Sequence, residues 1–527
     1  MRGAWRGILW AMTLQDTAQM SAEELRELAA SLLLQIEAQQ KAIQWRDLKI
    51  GQLTHEMATL KRWTFGKGSE QVTGLQRSLL EEAIDEDLEA IAIELEALRP
   101  TPADRPKGIP KRAALPKELP RIEIRHEPDS TLCSCGCALK RIGEDVSEKL
   151  DYIPGVVQVE RHIRGKWACE RCETLTQAPV PPQVIDKGIP TAGLLAQVLV
   201  AKYADHVPLY RQEQIFGRAG LAIPRSTLAQ WVGACGAKLE PLREVMKALL
   251  LKRAVLHADE TPMPMLKPGL KQTHRSYLWA YGTTSYDPEQ MVVYDFAEGR
   301  GGVHARTFLG TWKGALVCDD YQGYDALFHG GVTEVGCMAH ARRKFHALYA
   351  NHQSAIAAEA LELYGALYGV EREVQAHEPA LDASGRAALR QRKAKPLAEA
   401  LHAWLEAKLA QVPEGSATSK AILYSLRRWS ALTRYLDDGT LPIDNNWVEN
   451  RIRPIAIGRN NWLFAGSARA GRRAAAVMSL TQSARLNGHD PYAYLRDVLE
   501  RLPLTPEHRL EELLPHRWKP ADAGRVH

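Results

Sequence analysis

From Ser21 to about Leu60 apolar side chains return at every seventh position. Ala29, Ile36, Ile43, Ile50 and Met57 mark one seam, and Leu25, Leu32, Leu53 and Leu60 mark a second. A seam held over about four heptads without Gly or Pro before Gly51 predicts a coiled coil, because supercoiling keeps a 3.5-residue repeat facing its partner. Gln39 and Arg46 interrupt the second seam; such polar core positions lower stability and fix register or partner number. Residues 21–65 are therefore read as a leucine-zipper-like element that joins copies of the chain. Residues 1–20 are an N-terminal extension of no assigned structure, with Met12 and Met20 as alternative starts.

The periodicity then changes several times. Residues 66–120 hold an acidic, helix-prone stretch, Glu81 to Glu96, and a basic, proline-rich stretch, Pro100 to Pro120, read as an extended linker. Residues 121–182 alternate Val and Ile between two cysteine clusters and read as strands. Over 183–251 the pattern is helical, with a tight turn at Gly220 and a helix opening at Pro224, Arg225, Ser226 and Thr227, the look of a helix-turn-helix. From 252 to 465 three strands, a helix, a strand and a further strand–helix pair predict an α/β core, interrupted by an Ala/Leu/Glu-rich helical insertion at about 350–436. Residues 466–527 form a C-terminal segment. The fold class is thus multidomain α+β.

At 527 residues, with 45% hydrophobic and 25% charged residues, the chain has the usage of a soluble globular protein of several domains. Its longest largely apolar stretch, Gly193 to Ala201, is too short to span a bilayer, and the N-terminus lacks the pattern of a secretory leader. A cytoplasmic protein is expected. The net charge of +5 is too mild to declare a nucleic-acid binder by itself. Position says more: from Arg451 to Arg485, with Arg453, Arg459, Arg469, Arg472 and Arg473 between, no acid intervenes, and Trp462 and Phe464 lie among the arginines. Such a strip can hold phosphates and stack unpaired bases, so Arg451, Arg453, Arg459 and Trp462 are candidate DNA contacts, together with Arg225, Ser226 and Thr227.

Of eight cysteines, five fall between positions 133 and 172. Cys169-x2-Cys172 is a zinc half-site, since two thiolates at that spacing fold onto one tetrahedral ion. The other half offers three thiols for two places. Cys135 precedes Gly136 at the knuckle position, which favours Cys133 and Cys135 and leaves Cys137 as the alternative. Cys235, Cys318 and Cys337 are read as buried and unliganded, and His257 and His340 as structural. Asp259 ends the apolar run AVLHADE and Asp319 the run ALVCDDY, where strands give way to loops. Two carboxylates so placed can hold hard divalent cations. Glu449 is the third candidate, on a short helix that Asp444 can cap and that ends before Pro454.

HADETP, DDYQGY, CMAHARRKF, IDNNWVENRIRP and GRNNWLFAGS, in that order, resemble the transposases of the IS66 insertion-sequence family over nearly the whole chain. The resemblance implies a ribonuclease-H-like core with an Asp-Asp-Glu set carried by Asp259, Asp319 and Glu449, serving Mg²⁺ (or Mn²⁺), beside a structural Zn²⁺. It implies a DNA transposase that binds the inverted repeats at the element ends and joins them to target DNA, a homo-oligomer, and accessory proteins of the same element. Bound to DNA, such a protein would be nucleoid-associated. Where the family commonly has Asp-Gly-Tyr, this chain has Asp319-Asp320-Tyr321. Asp444 is the rival to Glu449. The alternatives are a nuclease or resolvase on the same fold, or an inactive helix-turn-helix regulator.

Overall fold

The computed structural model describes residues 21–65, 74–98, 115–117, 119–153, 156–185, 188–266, 273–462 and 464–520. The extension at 1–20 and residues 100–114 of the proline-rich stretch lie outside them. The chain divides into two compact units, Met1–Ser69 with Ile91–Gly108 and Glu70–Ala90 with Ile109–His527.

In the first unit a single helix, α1 (Ala22–Phe65), carries the whole heptad pattern. A capping box starts it: the Glu24 amide donates to Ser21 Oγ at 3.3 Å while the Ser21 amide donates to Glu24 Oε2 at 2.8 Å. Along the seam Leu53 and Leu60 are buried, whereas Leu25, Leu32, Ile36 and Ile43 are 37–47% exposed. Helix α2 (Gly74–Leu98) contributes buried Ile91 and Leu95 to this unit.

Residues 82–90 of α2 belong to the second unit, and they correct the reading of 66–120 as linker. Glu82, Glu86 and Asp87 are almost fully buried. Lys202 Nζ reaches Glu82 Oε1 at 2.7 Å and Glu86 Oε1 at 3.1 Å. Arg473 reaches Glu86 Oε2 at 2.8 Å and Asp87 Oδ1 at 2.6 Å. Backbone approach makes this seat possible: a Cβ on Gly466 would meet Ala83 Cβ at 1.7 Å, and one on Gly233 the Glu86 carbonyl oxygen at 2.3 Å. Buried acids need partners, and these come from 120 and nearly 390 residues away, so local pattern cannot name them.

The cysteine-bearing region is a small sheet in the order β1-β3-β2, of β1 (Arg121–His126), β2 (Lys140–Ile153) and β3 (Val156–Ala168), with β4 (Leu175–Gln177) added to β3. The last residues of β2 are tied to the first helix of the next region. Thr191 caps that helix, α3 (Ala192–Tyr203), by accepting from the Leu194 amide, and its hydroxyl donates to Asp151 Oδ1 at 2.6 Å. After α3 come α4 (Leu209–Arg218) and α5 (Arg225–Leu250), joined through Gly220 at φ +80. The second helix of the expected helix-turn-helix is thus 26 residues long, and more than half of it is buried.

The central sheet has the order β7-β6-β5-β8-β9, with β5 (Val255–Met265), β6 (His274–Gly282), β7 (Val292–Ala297), β8 (Ala315–Cys318) and β9 (Thr333–Gly336). β5, β6 and β7 are antiparallel neighbours; β8 and β9 join β5 in parallel. Helix α6 (Gly302–Leu309) links β7 to β8, α7 (Asp325–His329) lies between β8 and β9, and α8 (Met338–His352) follows β9. The helical insertion comprises α9 (Ala355–Ala376), α10 (Ala383–Leu409), α11 (Ala417–Arg427) and α12 (Trp429–Thr433). It has its own core, shared with Val317 and Val335 of the sheet. Buried Arg390 holds it together, paired with Glu371 at 2.8 Å and donating to the Leu441 carbonyl at 2.9 Å.

Three helices complete the chain: α13 (Asn446–Trp462), α14 (Ala468–Leu486) and α15 (Pro491–Arg501). The segment from 466 onward is part of the main core. Ser479 and Ser483, one turn apart on α14, accept from the Tyr294 and Val292 amides of the outer strand β7 at 2.8 and 3.0 Å, which satisfies an edge that would otherwise be open. α13 also departs from expectation, since it passes through Pro454 instead of ending before it. Interior proline costs about 3 kcal/mol. Buried Val448, Ile452 and Ile455, at roughly 1.5–3 kcal/mol each, outweigh that.

Candidate active site and zinc centre

The β5–β8 ladder pairs Val255 with Ala315, Leu256 with Leu316 and His257 with Val317. Asp259 and Asp319 each stand two residues beyond the last pair, so register sets them side by side at the carboxyl end of the parallel strands. β5 itself continues to Met265, so Asp259 is inside a strand and not at its end; the ladder with β8 is what stops. Asp319 follows β8 directly, with Oδ1 accepting from the Tyr321 amide at 3.0 Å. Asp320 beside it is exposed.

Glu449 sits in the first turn of α13, which packs on β5. Asn445, fully buried, fixes that start. Its amide donates to Cys337 Sγ at 3.1 Å, its Nδ2 to the Ala258 carbonyl at 2.9 Å, and its Oδ1 accepts from His257 Nδ1 at 2.7 Å. Asp444 is occupied otherwise: it accepts from Tyr368 of the insertion and from the Asn446 amide. Burial, then the charges of Glu260, Glu449 and Asp319, hold the Asp259 carboxyl well above the usual range, so the three carboxylates feel one another. Glu260, on the opposite face of β5, is held by Arg300 at 2.6 Å and Tyr324 at 3.2 Å.

Two further residues enter the site. Arg343 of α8 reaches Glu449 Oε2 at 2.8 Å. His340, one turn earlier, brings Nδ1 to 3.5 Å from Glu449 Oε1, and neither atom has a hydrogen-bond partner among the described residues. His340 is therefore not merely structural: an orphaned carboxylate oxygen facing an orphaned imidazole nitrogen is a place that a cation or substrate group would complete. The available signal was its position, at i and i+3 with Arg343 on a helix that begins where a parallel strand ends.

The arginine strip divides. Arg453 is exposed, but Arg451 lies half-buried over Trp447, Arg459 donates to the Pro262 carbonyl at 2.7 Å, and Trp462 Nε1 donates to His206 at 3.4 Å. Arg473 and Phe464 are buried, which removes both from the strip, because Arg473 serves the acids of α2. Arg225, Ser226 and Thr227 are half-buried in the first turn of α5, where the Arg225 amide donates to Glu213 Oε1 at 3.0 Å.

In the small sheet, the thiols of Cys133, Cys135, Cys169 and Cys172 lie within 4.8 Å of one another. Zn–S bonds of about 2.3 Å place tetrahedral sulfurs about 3.8 Å apart. Cys135 lies 3.7 Å from Cys169 and 3.8 Å from Cys172, so these residues fit a zinc ion; Cys133 and Cys172 are at 3.1 Å. Gly136 at φ +82 turns the first knuckle, and Cys137 packs beside the cluster instead of joining it. The Cys133 thiol is drawn down to about 6, first by the Cys135 backbone amide and then by the Cys172 thiol, which favours the thiolate a metal requires.

His257 supplies a pH prediction. Burial pushes its imidazole down to about 4 against the hydrogen bond to Asn445, and His516 is likewise held at about 4. With an unfolded value of about 6.5, each binds fewer protons folded than unfolded in that window. Stability present above pH ~6.5 is therefore lost as pH falls toward 4, by roughly 2–3 kcal/mol for His257. Urea midpoints should drop between pH ~7 and ~5, less steeply in His257→Gln; equal midpoints would refute the assignment.

Comparison with known proteins agrees with this architecture. The description "Transposase IS66 family" matches residues 187–473, "IS66 C-terminal element" 479–516, and "zinc-finger binding domain of transposase IS66" 130–173. "Transposase C of IS166 homeodomain" matches 52–124. The uncharacterized protein y4qI of Sinorhizobium fredii (strain NBRC 101917 / NGR234) is 36% identical over 98% of this chain and 97% of its own length. Another, y4jD of the same strain, is 38% identical over 78% of this chain and 83% of its own. The chain belongs to the IS66 transposase family. The zinc-finger match and the four-thiol cluster together support a structural Zn²⁺, and none of the described helices is long and apolar enough to cross a membrane.

Proposed function

We propose that this chain is a DDE-type transposase that cleaves phosphodiester bonds at the ends of an insertion sequence and joins them to target DNA, with Asp259, Asp319 and Glu449 holding two Mg²⁺ (or Mn²⁺) ions. The observation that carries the reading is the register that sets Asp259 beside Asp319, with Glu449 presented from the first turn of α13. Three antiparallel strands followed by two parallel ones, in the order β7-β6-β5-β8-β9, support a ribonuclease-H-like core. Cations bound among these carboxylates would activate water or a 3′-hydroxyl and stabilise the leaving oxygen. The chain's own residues prepare the place. Asn445 ties α13 to β5 and to the loop before α8, so Glu449 cannot drift from Asp259. Arg343 neutralises part of the acid cluster and holds one Glu449 oxygen, leaving the other open. Exposed Arg453 is positioned to meet phosphates.

A labelled duplex carrying the element end, incubated with Mg²⁺ and a target duplex, tests this. Cleavage with joined product supports transposition, cleavage without joining favours the nuclease or resolvase, and end-binding alone favours the inert regulator. The partners proposed are the terminal repeats, target DNA, a second copy of the chain and accessory proteins of the element. The exposed seam of Leu25, Leu32, Ile36 and Ile43 supports self-association through α1. Replacing Ile43 and Ile50 by Lys should dissociate the assembly in sedimentation; an unchanged mass would discard the zipper.

A further inference from the structure

Beside the docked acidic helix lies a cavity of about 590 Å³, within the roughly 300–1,000 Å³ of small-ligand sites. Tyr203, Met263, Trp462, Phe464, Ala474 and Met478 supply much of its wall. Glu82 lines it too, at 3% exposure. Lys202 and the Leu209 amide hold Glu82 Oε1, at 2.7 and 3.4 Å, whereas Oε2 is buried and has no partner among the described residues. A buried acceptor left unpaired in an apolar chamber costs free energy that a donor from a ligand would recover. The chemistry of the wall narrows that ligand. Glu82 and Glu86 repel a phosphate or carboxylate, and a hydrocarbon would leave Oε2 unpaired, so the occupant is uncharged, largely apolar and carries an N–H donor.

Trp462 is the last residue of α13, the helix whose first turn presents Glu449. Thirteen residues at 1.5 Å each put the two about 20 Å apart, a distance that a few nucleotides of single strand cover. Exposed Arg453 lies between them, and Arg211, exposed on α4, reaches Asn461 beside Trp462 at 3.4 Å.

We propose that this cavity receives one unstacked nucleobase of single-stranded DNA, its faces against the apolar walls and its ring N–H or amino group donating to Glu82 Oε2. The inference rests on the DNA-handling function proposed above and adds a subsite to it, distant from the carboxylates. In Glu82→Gln, Lys202 keeps the amide oxygen and the NH₂ group turns to the cavity, so a donor replaces the acceptor. In Ala474→Met the cavity is filled by an apolar side chain.

The test uses the full chain without divalent metal and compares a fluorescent 12-nucleotide mixed-sequence single strand with an abasic strand of the same length, by anisotropy. Base stacking in such sites is sequence-tolerant and strong, so the base-bearing strand should bind about tenfold more tightly. That ratio should fall close to one in Ala474→Met and in Glu82→Gln, with thermal melting confirming the fold of each variant. Equal affinity of the two strands for the unaltered protein overturns the proposal, as does a ratio that persists in both variants. Loss of the ratio with Mg²⁺-dependent cleavage at element ends retained would leave the catalytic reading standing; no binding of either strand would strike at the DNA-handling function as well.

Discussion

Asp259→Asn, Asp319→Asn and Glu449→Gln are each expected to reduce Mg²⁺-dependent strand cleavage by at least about a hundredfold while leaving end-binding in place. Each change is near-isosteric, but it removes a charge from a site where ion placement and transition-state charge depend on the same oxygens, an effect worth several kcal/mol. Asp259→Asn should also raise the melting temperature slightly, because a carboxyl that burial and three neighbouring acids hold above its usual range is costly to ionise. Asp320→Gly should be mild, since Asp320 is exposed and Asp319 is the residue in register with Asp259. Should Asp320→Gly abolish cleavage while Asp319→Asn cleaves normally, the second carboxylate has been assigned one residue early. Normal cleavage by Glu449→Gln would return attention to Asp444, although its bonds to Tyr368 and the Asn446 amide argue for a helix cap.

Removing the metal from the cysteine cluster should have the other large effect. One Zn²⁺ per chain is expected by elemental analysis of protein purified without chelator, and Cys172→Ser should lose it together with the ordered structure of residues 121–182. Zinc binding in small modules supplies about 10–16 kcal/mol of folding free energy, and the apolar core here is little more than Leu139, Trp167 and the cysteines themselves. Protease digestion should release this region from the variant and spare it in the parent chain. Zinc-free protein with an unchanged digestion pattern would show that the thiols stand without an ion.

Much of this was legible because the signals are local. The heptads of α1, the Cys169-x2-Cys172 knuckle and the strand runs ending in HADE and CDDY each depend on residues a few positions apart, and side-chain period alone separates helix from strand. Motif order carried the family resemblance for the same reason. Pro454 misled the reading of α13, because the burial that overrides its local cost is tertiary.

What only the tertiary structure decided is which distant charges meet. Composition placed Arg473 in a basic strip and Glu82, Glu86 and Asp87 in a linker, yet these residues satisfy one another in the interior, where an ionised group persists only with a partner. His340 looked inert until α8 brought it to Glu449, some 110 positions later in the chain. The sequence by itself determined the elements, the carboxylates and the thiols. Their juxtaposition came from the strand register and from the docking of α13 and α2, since neither long-range pairing nor the desolvation it imposes leaves a periodic trace in the residues that make it.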